Sequence, residues 1–159
     1  ACLVAPYTVI KSVGMEAGMD HVVYVDTKAH ELEKLLAGEK TMIVRGAAGR
    51  KLPYGRVQPG DCLFFIQNKG DGMVRASAVV REVFNSEKLT REESAKFLKD
   101  NQAKLNLTPE QVKRWAGKRY LVLIEIENIA SLKPFTIDRS GYGNMDDWLP
   151  VGEIGKVKE

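Results

Sequence analysis

The order of strand-like and helix-like segments is the feature of this sequence that most limits its fold. Segments rich in β-branched and aromatic residues predict strands at 21–25, 41–45, 61–67, 73–84 and 120–129, with another possible at 134–138. The helix-like segments fall in only two places, one after the first strand and two before 120–129. A doubly wound parallel sheet requires regular alternation of strands and helices. The order therefore predicts an α+β fold, a small, mostly antiparallel β-barrel flanked by helices.

Capping residues define where the helices begin. Leu32, Leu35 and Leu36 lie on one face of a first helix that ends at Gly38. Thr90 is followed three residues later by a glutamate, which is the capping-box pattern. Thr108 precedes a proline, a pairing typical of a helix N-terminus.

Length and composition favour one soluble domain. The chain has 159 residues, of which 44% are hydrophobic and 28% charged. We expect a single domain over 1–159, with 1–18 as a possible N-terminal arm and 138–159 as an irregular C-terminal segment. The first ten residues are apolar but too short to span a bilayer, so no membrane association is expected.

The two cysteines, Cys2 and Cys62, show neither a CxxC pattern nor clustering with histidine. Cys62 lies in an apolar run, which predicts a buried free thiol and a cytoplasmic location. His21 and His30 lack metal-ligand spacing, and no nucleotide-binding or nucleophile motif is present. We expect no metal and no cofactor.

Basic residues are concentrated in one segment. Residues 40–60 contain five of them and no acidic residue, although the formal net charge of the whole chain is only +3: Lys40, Arg45, Arg50, Lys51 and Arg56. Such a local concentration suits the binding of a phosphate backbone. The alternative is a solvated loop with no binding role.

Side-chain chemistry suggests a role for each group in this segment. Lys40 is a mobile point charge suited to phosphate, and Arg45 has a planar fork that pairs with phosphate or stacks on a base. Tyr54 offers a stacking face for an unpaired base. The alternative is that Arg45 pairs with a carboxylate and that Tyr54 packs on the barrel.

Two aromatic residues in the C-terminal segment are further candidates. Tyr142 and Trp148 lie in a glycine-rich stretch, where they could form a base-stacking wall. They could equally tie the terminus to the barrel, and for Trp148 we favour this interpretation.

Three motifs in order resemble the ASCH domain of the PUA-like superfamily. They are LLAGEKTMIVR at 35–45, VQPGDCLFF at 57–65 and VRASAVVREVF at 74–84, within a similarity that runs from about residue 22 to 129. The resemblance implies a basic cleft in the barrel that receives RNA or a nucleotide. It also implies that Lys40, Thr41 and Arg45 lie at the mouth of this cleft.

Two functions follow from the residues and the resemblance. The first, which we favour, is binding of single-stranded RNA or a modified nucleotide by Lys40, Thr41, Arg45, Arg50, Lys51, Tyr54 and Arg56. The second is hydrolysis, because some ASCH proteins remove the acetyl group of N4-acetylcytidine and others cut RNA.

Only one of the three catalytic residues of the amidohydrolases has a clear counterpart in this chain. Lys40 matches the lysine of the amidohydrolases, but Ile43 stands where they have threonine, and their glutamate has no clear counterpart. Lys40 is therefore the only catalytic candidate, should the protein be an enzyme. Protein partners and the oligomeric state stay open.

Overall fold

A computed structural model of the chain describes residues 18–143 and 146–159 and places six strands in one sheet. The strands are β1 (Asp20–Val25), β2 (Met42–Ala47), β3 (Cys62–Gln67), β4 (Val74–Asn85), β5 (Tyr120–Phe135) and β6 (Trp148–Gly152). The helices are α1 (Glu31–Leu36), α2 (Arg91–Asp100), α3 (Gln102–Leu105) and α4 (Pro109–Trp115), followed by a 3-10 turn at Ile154–Lys156.

The sheet has the strand order β2-β5-β4-β3-β1-β6. β1 pairs in parallel with β3, and the other four pairings are antiparallel. The register between the long strands β4 and β5 shifts at three places, and such irregularities bend a sheet. The sheet curls into a half-barrel with β2 and β6 at its two edges, which confirms the predicted α+β fold, a small, mostly antiparallel barrel flanked by helices.

Successive residues of one strand belong to different hydrophobic clusters, because their side chains lie on opposite faces of the sheet. In β2, Ile43 belongs to the cluster inside the half-barrel, whereas Met42 and Val44 belong to the cluster under α2, α3 and α4. Because successive strand residues point to opposite faces, Arg45 lies on the same inner face as Ile43. In β6, Trp148 packs into the inner cluster in the same way.

The predicted helix starts are confirmed. Thr90 accepts a hydrogen bond from the backbone N–H of Glu93, and the Glu93 carboxylate accepts one from the backbone N–H of Thr90. Thr108 and Gln111 form the same reciprocal pair at the start of α4. These bonds satisfy donors that a helix N-terminus leaves unpaired.

Two details of the predicted elements differ in the structure. The segment at 134–138 is not a separate strand, because pairing with β4 carries β5 through to Phe135. The C-terminal segment is not wholly irregular, because β6 pairs with the edge of β1 despite containing Pro150. Residues 1–17 of the expected N-terminal arm lie outside the described residues.

Cys62 is buried, as expected, but the expectation of a free thiol is wrong because this residue is disulfide-bonded. The cytoplasmic location was predicted from a free thiol, so this observation no longer supports it and it stays a prediction. Within the described part of the chain, no helix is long and apolar enough to cross a membrane.

Candidate functional site

Arg45 connects the edge strand β2 to β1 on the opposite side of the curled sheet. It lies on the edge strand β2, and its Nη2 donates a hydrogen bond of 2.7 Å to the backbone oxygen of Tyr24 in β1. Its Nη1 donates to the backbone oxygen of Val44 at 2.9 Å. Only 7% of the residue is exposed. The open seam of the half-barrel is therefore occupied by a buried guanidinium group.

Two adjoining cavities open at this seam, with volumes of about 370 and 160 Å³. Four residues line both of them: Arg45, Arg114, Trp115 and Asp147. The larger cavity is also lined by Lys51, Lys118 and Asp146, and the smaller one by Asp26, Glu31, Asn68 and Gln111. We call the two cavities together the seam cleft.

The Nε atom of Arg45 is a buried donor that finds no hydrogen-bond acceptor among the residues that the structure describes. The nearest acidic group is the Asp147 carboxylate, with Oδ2 at 3.6 Å, too far for a hydrogen bond. About half of the Asp147 side chain is exposed, so this ion pair is weak. An unsatisfied buried donor is unfavourable unless a ligand or water supplies the acceptor.

Both tryptophans of the chain line the seam cleft. The Arg45 guanidinium carbon lies 6.0 Å from the centre of the Trp115 ring and 5.7 Å from that of Trp148. The guanidinium of Arg114 lies over Trp115 at 4.8 Å. The cleft thus combines planar cations with large aromatic rings, the groups that stack on nucleobases.

A buried hydrogen-bond chain holds Trp148 in place. Its Nε1 donates to Nδ1 of His21 at 3.0 Å, and Nε2 of His21 lies 2.8 Å from Oδ2 of Asp61. The indole N–H can only donate, so Nδ1 is the acceptor and Nε2 carries the proton that Asp61 accepts. Trp148 is 1% exposed, which agrees with its expected role in tying the C-terminal segment to the barrel.

Asp61 ends this chain as a carboxylate. Burial acts to raise its pKa, but hydrogen bonds from His21 and from the backbone N–H groups of Gln58 and Met19 outweigh burial and lower the pKa. The ionised form is therefore the one that the fold stabilises.

Lys40 lies inside the protein and not at the mouth of a cleft. It is 1% exposed, its Nζ is 3.3 Å from Oε2 of Glu31, and it donates to the backbone oxygen of Leu105 at 2.5 Å. Burial lowers its pKa, and the attraction of Glu31 offsets only part of that effect. The expected mobile phosphate contact does not fit this position, because the ammonium group is already fixed by two oxygens.

The remaining predicted site residues lie in the larger cavity, in a cluster around Tyr54, or outside all the cavities described. Lys51 lines the larger cavity, whereas Arg50 lies over the rings of Tyr54 and Tyr120. Thr41 and Arg56 line none of the cavities described, and neither does Tyr142, which packs on the outer face of the sheet. Of the predicted set, the structure brings Arg45 and Lys51 together at the seam cleft.

Four residues of the seam cleft were not predicted from the sequence: Arg114, Trp115, Lys118 and Asp147. The first three come from α4 and the turn after it, more than 60 positions from Arg45 in the sequence. A tryptophan flanked by basic residues at the end of a short helix was the available signal. Only the packing of α4 against β2 brings these side chains to the seam.

Comparisons with known proteins give matches among solved structures alone. No protein-family model matches the chain, and no curated protein matches it in sequence. The crystal structure of ASCH from Zymomonas mobilis matches with a TM-score of 0.63 and 11% identity, over 84% of this chain and 87% of that one.

Structures of two single-residue variants of that protein agree with this match. Their TM-scores are 0.65 and 0.64, and their sequence identities are 10% and 11%. Both matches cover 87% of this chain, and they cover 92% and 94% of the two variant chains, respectively. At such identities the likeness establishes the fold and nothing finer. The chain described here therefore has the fold of the ASCH domain proteins.

Proposed function

We propose that the seam cleft binds single-stranded RNA or a single modified nucleotide. The observation that carries this proposal is the buried Nε of Arg45, for which no described residue supplies an acceptor, in a guanidinium whose carbon lies 6.0 and 5.7 Å from the ring centres of Trp115 and Trp148. A phosphate or base oxygen placed there would accept the missing hydrogen bond, and a planar base would stack on the exposed guanidinium of Arg114, which lies over the Trp115 ring.

The size and charge of the cleft fit such a ligand. The larger cavity, at about 370 Å³, lies in the range of pockets that hold small ligands. Four cationic side chains face it: Arg45, Lys51, Arg114 and Lys118. The smaller cavity adds the carboxylates and amides of Asp26, Glu31, Asn68 and Gln111, which are hydrogen-bonding partners for the edge of a base.

Asp147 has its carboxylate in the position beside Arg45 that we assign to an anionic group of the ligand. Its carboxylate lies beside Arg45, and its backbone oxygen accepts a hydrogen bond from the N–H of Tyr24. An incoming phosphate would displace the exposed carboxylate from Arg45. Asp147→Asn should therefore strengthen the binding of phosphorylated ligands, because it removes a competing negative charge.

Intrinsic fluorescence offers a direct test, because both tryptophans lie in the cleft. We expect short single-stranded RNAs and ribonucleotides to quench this emission at low salt. Asp147→Asn should lower the Kd, and Arg114→Ala should raise it, whereas Arg119→Ala should do neither. Arg119 is an exposed arginine that does not line the cleft. No binding of RNA, single-stranded DNA or nucleotides would refute the proposal.

A second candidate, hydrolysis of an acylated nucleoside, is favoured by one observation. The lowered pKa of Lys40 increases the fraction of neutral amine, the form needed in a base or nucleophile, and its partner Glu31 lines the smaller cavity. Against it, Lys40 is 1% exposed. Release of cytidine from N4-acetylcytidine by the purified protein, abolished in a Lys40→Ala variant whose circular dichroism spectrum shows that it is folded, would establish this activity in place of simple binding.

A further inference from the structure

We infer that a second nucleotide-binding subsite, formed by Arg50, Tyr54 and Tyr120, adjoins the seam cleft. The ligand is then a single-stranded RNA of two or more nucleotides, with one in the cleft and the base of the next on this platform. The inference rests on the proposed function and specifies its substrate class.

The platform is a cluster of one cation and two aromatic rings. The guanidinium carbon of Arg50 lies 5.8 Å from the centre of the Tyr54 ring and 5.5 Å from that of Tyr120. The two rings meet edge to face, with centres 5.7 Å apart. Arg50 is exposed and both tyrosines are partly exposed, so a base can stack on the guanidinium plane or replace it on the rings.

Hydrogen bonds fix the loop that carries this platform. The Tyr54 hydroxyl donates to the backbone oxygen of Ser86 at 2.5 Å, and the N–H of Gly55 donates to Oδ1 of Asn85 at 2.9 Å. The buried Ser86 hydroxyl accepts the N–H of Leu121 in β5 at 2.9 Å. The platform is therefore held before any ligand arrives, which reduces the entropic cost of binding.

A shallow depression joins the platform to the cleft. It is lined by Tyr54 and Tyr120 and shares five lining residues with the larger cavity: Arg45, Gly46, Ala47, Lys51 and Leu52. The side chain of Ala47 is a single methyl group, which does not obstruct a backbone that crosses between the two. None of the described residues that line the depression is acidic. Lys51 faces both sides, in the position that a bridging phosphate requires.

The physical reason for two subsites is that each supplies a different contact. The seam cleft has buried donors and enclosing walls, which suit one nucleotide. The platform is open and offers stacking faces, which suit a neighbouring base of any identity. Affinity should therefore increase from mononucleotide to oligonucleotide by the energy of the added stacking contact.

The test compares 5′-monophosphates of adenosine, cytidine and uridine with RNA hexamers of the same bases, by tryptophan quenching. We expect the hexamers to bind at least about tenfold more tightly. Arg50→Ala and Tyr120→Ala should each weaken hexamer binding roughly 5- to 150-fold, the range for removal of one stacked base. Both variants should leave mononucleotide binding within about twofold of the wild type.

Arg56→Ala is the matched control, because Arg56 is an exposed cation of the same loop that lines no described cavity. It should change neither affinity by more than about twofold. Should Tyr120→Ala fail to fold, Arg50→Ala still decides the matter, since Arg50 is an exposed loop residue.

Two results would overturn the inference and leave the proposed function standing. One is equal binding of hexamers and monophosphates, and the other is an Arg50→Ala variant whose affinity for hexamers falls no more than its affinity for monophosphates. Failure of every probe to bind the wild-type protein would refute the proposed function and the subsite together.

Discussion

Replacement of Lys40 by methionine should destabilise the protein severely, because the side chain neutralises a buried carboxylate. Lys40 and Glu31 are 1% and 4% exposed, and their charged atoms are 3.3 Å apart. Methionine fills a similar volume but leaves Glu31 without its cation and the Leu105 oxygen without its donor. The variant thus removes the charge and its hydrogen bond but keeps most of the side-chain volume.

The expected loss is about 3–5 kcal/mol in the free energy of unfolding, the range for removing one partner of a buried ion pair. In a domain of this size, that corresponds to a fall in Tm of roughly 6–20 °C. Adding Glu31→Gln should restore much of the stability. Glutamine removes the uncompensated charge and keeps an acceptor for the N–H of Asp26, which Glu31 Oε1 binds at 2.7 Å.

The assay is urea unfolding of the wild type, both single variants and the double variant, which together form a double-mutant cycle. The pH dependence gives an independent check. The lowered pKa of Lys40 means that the unfolded chain binds more protons between that pKa and about 10.4, so wild-type stability should rise with pH in this window. Lys40→Met should lack this rise.

Additive effects of the two substitutions would refute the reasoning, because independent sites do not compensate each other. A loss below about 1 kcal/mol in Lys40→Met would do the same, since it would mean that Glu31 is not held as a buried charge.

Three further predictions concern the core and the basic loop. Trp148→Phe should lower the free energy of unfolding in urea by about 1–3 kcal/mol, because the acceptor on His21 becomes unsatisfied. A free energy equal to that of the wild type would mean that this hydrogen bond does not stabilise the fold. Because the pKa of Asp61 is lower in the folded protein, its ionised form stabilises the fold above pH ~4, and this stability is lost as the pH falls further. In Asp61→Asn the free energy of unfolding should therefore depend less on pH in the acid range. Arg50→Glu combined with Lys51→Glu should weaken RNA binding with an unchanged Tm, and unchanged affinity would move the site away from this loop.

Local sequence signals predicted most of the fold. Capping residues located the helix starts at Thr90 and Thr108, and segments rich in β-branched and aromatic residues located the strands that cover the inner core. These signals act within a few residues, so they can be read without knowledge of the partners. β6 escaped prediction because its pairing depends on the free edge of β1.

The site was harder to predict, because its geometry depends on packing between distant segments. Arg45 was identified from its chemistry and its place at the end of a strand. The burial of Lys40 was not foreseen, since it requires Glu31 and the carbonyl of Leu105 to meet around its ammonium group. The same limit applies to Arg114 and Lys118, which reach the cleft only once α4 is docked.

The salt dependence of RNA binding tests the central claim most directly. If phosphates bind the cations of the seam cleft, log K for a short single-stranded RNA should fall linearly with log salt concentration. In Arg114→Ala combined with Lys118→Ala, the slope should become shallower by about 0.7 for each phosphate that the variant no longer neutralises. Binding that is insensitive to salt, or a slope that this double variant leaves unchanged, would contradict the account.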